Sequence, residues 1–478
     1  GNAAARRPDA SFEQFGCRYS LAGVKKRDEG MTFNGINKEC FDFTYVMTSG
    51  PPDVREISLA RELEKVADFA SIKSSRKLAA RLELLHSASL ASCLPRRLSA
   101  DDFEIIDEEI SDITQEYMGD GCGFIGEKQL YELVGGSVDK LLSIQVRVFS
   151  PKLGVWKGML CKKPNIDKIQ LTPSMRKVKP SIVASPDVNW ASLIVVRSNP
   201  SSSSTEVGKV FAGCEMSSSF ERKRMSKMIK NLMIGLGCPK YVVATHAMKT
   251  NPDNCWLVGL ADPTYCLPPG HIFVTGFKSI ISWSTFGDQN QIFVTRSPCV
   301  LKEHGRMLPA VVSRPHNMPK ETWDWLLGLP FGAILFSTAG KGVPLAATCA
   351  SGDLDGDLYM TCWDKTILRH INPCEPPVPV VRVGAAIVAP NHETETYRNP
   401  NWLKDVQCHL TDNALNSEYA LIGKLYRQME KVAQISELGM SDPDYISYAN
   451  AYISAIDHGK HDLDVPLPEH LRSAVGLK

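Results

Sequence analysis

SGDLDGDLYM, residues 351–360, crowds three aspartates, Asp353, Asp355 and Asp357, into five positions. Like charges so close repel, so something must compensate them. On a straight strand these side chains would share one face, but the outer two would stand roughly 13 Å apart. A magnesium ion holds its oxygen ligands at about 2.0–2.1 Å, so a straight strand cannot bring all three to one ion. Gly352 and Gly356 admit backbone conformations closed to other residues and let the segment curl until its carboxylates converge. The flanks PLAATCA (344–350) and LYMTCW (358–363) read as strands. The pattern predicts a tight acidic loop between two strands, built to hold a divalent cation.

Three rival readings fit less well. Asp-Gly pairs are common in hairpins, so a solvated acidic turn is the plain alternative. A calcium-binding EF-hand loop needs Gly at position 6 and Glu at position 12. Counted from Asp353, those positions hold Leu358 and Asp364. A phosphatase nucleophile of the haloacid-dehalogenase type resembles DLDG followed by Thr, after an apolar strand end. Here Asp357 follows, and CASG precedes. Metal-assisted phosphoryl or nucleotidyl transfer suits the aspartates best. A carboxylate-held cation lowers the pKa of an attacking hydroxyl and neutralises charge at phosphorus. Such chemistry also needs cationic side chains to grip a triphosphate. Residues 145–180 carry nine Lys/Arg and a single acid, Asp167.

The rest of the composition narrows the class. The chain has 478 residues, 43% hydrophobic and 22% charged, and a net charge of +1. That length suits several domains with a large core. No run of about 18 apolar residues predicts a membrane span, and the N-terminal GNAAARRPDA has no apolar signal region. The fourteen cysteines are scattered, without zinc-like spacing, and read as reduced thiols of an intracellular protein. Charge is a mosaic: DDFEIIDEEISD (101–112) carries seven acids and reads as an exposed linker or helix face, whereas RKRMSKMIK (222–230) carries five bases.

Texture along the chain separates helical from stranded stretches. Residues 57–92 and 218–236 show helical spacing, the latter closed by Gly237, and a long periodic helix is predicted over 413–438. Short β-type runs fill 141–215 and recur at 242–245, 271–277, 291–296 and 332–337. Many short strands at irregular spacing suit compact barrels better than a doubly wound parallel sheet.

CASGDLDGDLYMTCWD (349–364) closely resembles the catalytic motif of the eukaryotic, RNA-silencing type of RNA-dependent RNA polymerase, Asp-x-Asp-Gly-Asp followed by an apolar strand. Other segments match in that family's order: DGCGFIG (120–126), QVR…WKGML (145–160), IQLTPSMRKV (169–178), RKRMSKMIKNLMIGLGCP (222–239), IFVTRSPC (292–299) and AIDHGKHDLDVP (455–466). The chain departs from the pattern at Ser297, where Asn is usual, at VLKEHGRM, which replaces Pro-Gly-Asp, and at His461, which replaces Thr after Lys460.

The resemblance implies an α+β fold of two double-psi β-barrels facing each other, with connecting and flanking helices. The domains expected are an N-terminal mixed region (1–119), a basic first barrel on the nucleotide side (120–215), a helical connector (216–262), a second barrel with the aspartate loop (263–392) and a C-terminal helical region (393–478). It implies Mg²⁺-dependent copying of single-stranded RNA into complementary RNA in small-RNA silencing, with Mn²⁺ as a substitute ion. Asp353, Asp355 and Asp357 would hold the catalytic cation, and Asp364 would cap structure. Lys157 and Lys177 would meet the phosphates of the incoming nucleotide, with Arg147 and Arg176 as partners. Arg296 would touch template or nucleotide, or make a structural ion pair. The expected partners are an RNA template, nucleoside triphosphates, the RNA product and silencing proteins, with no membrane; cytoplasm and nucleus are not distinguished. Two alternatives stay open: a single-chain DNA-dependent RNA polymerase of the same barrel type, and a non-catalytic RNA-binding scaffold for silencing factors. An intact aspartate triad argues against the scaffold, which has no need of three convergent carboxylates.

Overall fold

The structure is a computed structural model that describes residues 11–14, 17–28, 39–49, 59–86, 95–134, 141–200, 219–246, 254–276, 290–374, 398–413, 418–458 and 465–477. Lys460, His461 and the apolar run near 380 lie outside the described residues. A small antiparallel sheet comes first, from β1 (Ser11–Gln14), β2 (Cys17–Asp28) and β3 (Glu39–Ser49). Helices α1 (Leu59–Val66) and α2 (Ser75–Glu83) follow, the second opened by Ser74, whose side chain accepts from the Lys77 amide.

The first large sheet contains β4 (Arg96–Ser99), β5 (Phe103–Ile105), β6 (Cys122–Ile125), β7 (Leu141–Ser150), β8 (Gly154–Lys162), β9 (Ile169–Leu171), β10 (Arg176–Val178) and β11 (Trp190–Pro200). Its strand order is β4-β11-β7-β8-β6-β9-β5, with β10 added on β8. The end strands β4 and β5 are joined by only the short turn Ala100–Asp102. That turn reaches about 10 Å, whereas seven flat strands would spread over about 29 Å. The sheet must therefore curl back on itself. Inside the curl pack Ile144, Val146, Val148, Trp156, Leu160, Leu171 and Leu193.

After α3 (Glu127–Val134), α4 (Ser219–Gly235) and α5 (Lys240–His246), a second sheet forms from β12 (Asn254–Ala261), β13 (Ile272–Val274), β14 (Gln291–Arg296), β15 (Arg306–Pro309), β16 (Ala333–Phe336) and β17 (Leu358–Cys362). Its order is β13-β16-β12-β17-β14-β15. The two edges meet: Ile272 bridges Ala310, and the Val311 amide donates to the Ile272 carbonyl at 2.8 Å. This ring is closed into a barrel. The first sheet takes in β4 and β5, and the second takes in β12, all upstream of residues 120 and 263 respectively.

The barrels share a core. Cys122, Phe124, Met159 and Cys161 of the first pack with Leu257, Ile334, Phe336 and Tyr359 of the second. Helix α6 (Lys320–Gly328) covers the second barrel through Trp323 and Leu326. On its far side, α4 and α5 pack with the C-terminal helices α9 (Glu418–Ile435), α10 (Pro443–His458) and α11 (Glu469–Val475) around Trp256, Phe293 and Met360. Helices α7 (Lys365–Leu368) and α8 (Trp402–Asn413) complete the set. Among the described residues the cysteines are free and mostly buried, and no helix is long and apolar enough to cross a membrane.

Two local expectations are corrected. Residues 242–245 lie in helix α5, not a strand: Pro239 opens the turn, and Val242 and Val243 are buried among the flanking helices. PLAATCA forms helical turns, with the Thr348 amide donating to Pro344 and Ser351 to Ala347. A short apolar run does not by itself separate helix from strand, and here alanine's helical preference decides.

Candidate active site

The site begins with β-alternation. Along β7, Ile144, Val146 and Val148 point into the first barrel, so Gln145, Arg147 and Phe149 point out. On the neighbouring β8, Val155, Lys157 and Met159 share that outer face, with Lys157 opposite Arg147. All ten residues of β7 are buried, because the second barrel and α2 cover this face. A polar patch of Gln145, Arg147 and Lys157 is thus set between the shared core at Met159 and an apolar patch at Phe149 and Val155.

The aspartate loop meets this patch. Lys157 Nζ lies 2.6 Å from Asp355 Oδ2. Gln145 Nε2 donates to the Asp355 carbonyl at 2.8 Å. The Leu354 amide donates to the Asp120 carbonyl at 2.8 Å. A Cβ on Gly121 would sit 2.5 Å from that of Asp355, so the two loops touch backbone to backbone. Gly356 has φ +133, a region favouring glycine, as the curled loop requires. Gly352 serves differently from the expectation: the left-handed residues are Ala350 and Ser351, and Gly352 leaves room for the Tyr359 hydroxyl, which donates to the Asp353 carbonyl at 2.8 Å.

Charge is held in pairs across the loop. Arg296 on β14 grips Asp357 with Nε and Nη2, while its Nη1 donates to the Ala350 carbonyl at 3.2 Å. Burial works against the Arg296 cation, but Asp357 outweighs it and raises its pKa. Burial would also raise the Asp355 carboxyl, but Lys157, Lys177 and Arg147 hold it below its ordinary value. Asp353 has no such partner: burial, then the charges of Asp355 and Asp357, push it up to about 8. Its Oδ1 accepts from the Asp355 amide at 3.2 Å, and Asp357 Oδ2 accepts from the Asp353 amide at 3.0 Å.

The expected residues fall into two groups. Lys157, Lys177, Arg147 and Arg296 surround the aspartates. Lys177 donates to the Ser174 carbonyl at 2.7 Å; burial lowers its pKa, opposed by Asp355 and Asp120. Arg176 is instead exposed and sits over the Trp156 ring, 5.7 Å from its centroid. Asp364 caps α7 by accepting from the Thr366 amide. In the basic helix, Lys227 pairs with Glu430 at 2.7 Å.

Sequence reasoning missed Glu108 and Asp120. The acidic stretch 101–112 is largely exposed, but Glu108 turns inward and accepts from the amide and hydroxyl of Ser174, both at 2.9 Å. Ser174 Oγ in turn accepts from the Gly121 amide at 2.7 Å. Glu108 thereby ties together Lys177's carbonyl partner and the glycine turn under Asp355. Burial pushes Glu108 up to about 7 and Asp120 up to about 6. The only signal for Asp120 was its place in DGCGFIG, and Glu108 had none.

Hard carboxylate oxygens under mutual repulsion are the donor set a hard divalent cation takes. The residues therefore fit such an ion, and Asp353, Asp355 and Asp357 would hold it. Among the described residues no three acidic, His or Cys side chains already converge to coordinate one, because Lys157 and Arg296 occupy two of these carboxylates.

Comparison with known proteins agrees with this geometry. A family model described as RNA dependent RNA polymerase matches residues 11–211 and 243–475. Probable RNA-dependent RNA polymerase 1 of Oryza sativa subsp. japonica is 22% identical over 224 residues, covering 46% of this chain and 26% of that protein. RNA-dependent RNA polymerase 6 of Arabidopsis thaliana is 25% identical over 232 residues, covering 45% of this chain and 17% of the relative. The chain thus aligns with about a quarter or less of these relatives' length. The structure of RNA dependent RNA polymerase QDE-1 from Thielavia terrestris superposes with a TM-score of 0.65 at 15% identity, over 100% of this chain and 60% of the other. That likeness bears out the α+β fold with two facing barrels.

Proposed function

Because the chain belongs to the RNA-dependent RNA polymerase family, we propose that its two barrels form a catalytic core that copies single-stranded RNA by nucleotidyl transfer. The observation that carries this reading is the pairing of Lys157 with Asp355, which sets a cationic sheet face against three carboxylates. A cation, proposed as Mg²⁺ held by Asp353, Asp355 and Asp357, would lower the pKa of the attacking hydroxyl and neutralise phosphate charge. In the reaction, a hydroxyl oxygen of the growing RNA bonds to the α-phosphorus of a nucleoside triphosphate. The bond from that phosphorus to the β-bridging oxygen breaks, pyrophosphate departs and the hydroxyl proton passes to water.

This chain's own residues prepare that step. Lys157 and Lys177 lie beside the loop and are placed to grip phosphate oxygens, with Arg147 behind them. Lys157 would exchange its bond to Asp355 for one to substrate. Arg296 stays on Asp357 and the Ala350 carbonyl, holding the loop's left-handed turn. The template supplies the sequence by base pairing, so the protein need contact only backbone. We further propose that the product serves small-RNA silencing inside the cell.

Labelled-nucleotide incorporation on single-stranded RNA and single-stranded DNA, with and without Mg²⁺, tests the reading. Incorporation is expected on RNA, dependent on the ion, and lost in Asp355→Asn. Mg²⁺-dependent incorporation undiminished in Asp355→Asn would overturn the catalytic assignment, and a preference for DNA would overturn the template assignment.

A further inference from the structure

The outer face of β7 and β8 does not end at Lys157. Two residues further along, Phe149 and Val155 are covered by α2, whose Leu78 and Leu82 pack on them and on Val178. Arg81 lies beside Leu82 on the same helix. Its guanidinium is within electrostatic reach of Asp355 and Lys177. Its Nε is buried without a hydrogen-bond partner, as is Nε of Arg147, which is only 8% exposed. Guanidinium groups stay charged and carry five donors in a fixed fork. Leaving such donors unmatched in a covered site is costly. Asp355 does not satisfy them, because its carboxylate is taken by Lys157.

Helix α2 is firmly placed. Trp402 of α8 stacks with Phe69 at 5.9 Å, and its indole donates to Glu64 at 2.8 Å. Arg398 meets Glu64 and Asp68, and the Asn399 amide donates to the Ala70 carbonyl. Chain from the far side of both barrels therefore clamps α1 and α2 against the first barrel. Arg81 is held where it is by packing, without an ion-pair partner of its own among the described residues.

We infer that α2 is a wall of the active centre, and that Arg81 joins Arg147, Lys157 and Lys177 to bind the β- and γ-phosphates of the incoming nucleotide and the pyrophosphate that leaves. Planar forks match phosphate oxygens in pairs, and the unmatched nitrogens of both arginines would find their acceptors there. Three of these cations come from the first barrel; the fourth comes from a helix outside it. The assignment rests on the polymerase reading for its substrate, and on the geometry alone for its anion.

Calorimetry with inorganic pyrophosphate and with UTP tests it without template or turnover. Arg81→Ala is expected to weaken both by about tenfold, the loss of one charge-assisted contact. Arg81→Lys should restore part of that loss, because the charge returns but the fork does not. In the incorporation assay KM for nucleotide should rise by a similar factor while affinity for the RNA template stays unchanged. Circular dichroism and the melting temperature check folding, and Arg81→Gln serves if the alanine variant does not fold. Wild-type pyrophosphate binding by folded Arg81→Ala or Arg81→Gln would overturn the inference and leave the polymerase reading standing. Weakened pyrophosphate binding in a protein that incorporates nothing on RNA would uphold Arg81 as an anion ligand and overturn the polymerase reading.

Discussion

Lys157 Nζ and Asp355 Oδ2 stand 2.6 Å apart and join the two barrels at the centre of the site. The bond neutralises the carboxylate in the absence of a cation, so it competes with cation binding. Lys157→Met should therefore tighten the binding of Mn²⁺, read by electron paramagnetic resonance, while lowering the rate of incorporation by about 100-fold through loss of a phosphate contact. Unchanged Mn²⁺ affinity would show that the lysine and the ion do not compete.

Gly121 is the tightest contact under the loop. A Cβ there would stand 2.5 Å from Asp355 Cβ, at a backbone φ of +90. Gly121→Ala should displace the aspartate loop and cost about 1–2 kcal/mol in backbone strain. The expected outcome is a melting temperature lowered by a few degrees and incorporation reduced far more than stability. Full activity in this variant would contradict the close approach.

Glu108 makes stability fall with rising pH. Its folded pKa is about 7, above the unfolded value near 4.5. The folded state keeps the proton longer, so Glu108 has no effect below 4.5 and opposes folding progressively as pH rises through 7. The full shift corresponds to about 3 kcal/mol. Glu108→Gln, which cannot ionise, should gain in melting temperature over the wild type between pH 5 and pH 8. Parallel pH profiles for the two proteins would refute this.

His304 acts in the opposite sense. Its Nδ1 accepts from the Val300 amide at 3.2 Å, and burial lowers its pKa from 6.5 to about 4. The unfolded chain takes up a proton first, so stability contributed by the neutral ring is present above 6.5 and lost as pH falls through 4. The range is again about 3 kcal/mol. His304→Asn should lack this acid-side loss, as chemical denaturation at pH 7 and pH 4.5 would reveal.

What could be read without coordinates was local. The aspartates and their glycines lie within five positions, so spacing alone pointed to a cation and to phosphorus chemistry. The alternation of β7 and β8 likewise put Arg147 and Lys157 on one face, because a strand's period of two is a property of the backbone. Short apolar runs were less legible: Tyr241–Thr245 and PLAATCA carry strand-like residues but take helical turns, since their neighbours decide which face is buried.

Tertiary structure decided which charges meet. Gln145 reaches the Asp355 carbonyl across 210 positions of sequence. Glu108 looked like one more acid in an exposed run until the curl of the first sheet turned it onto Ser174. Arg81 looked like an ordinary helix-surface base until packing of Leu78 and Leu82 on Phe149 and Val155 set it beside the aspartate loop. Arg176, adjacent to Lys177, was drawn away over Trp156 because neighbours on a strand face opposite ways. Sequence by itself determined the chemistry of the loop, since that chemistry depends on residues a few bonds apart. The cationic wall facing it depends on the closure of one sheet and the docking of a helix, and only the folded chain brings those together.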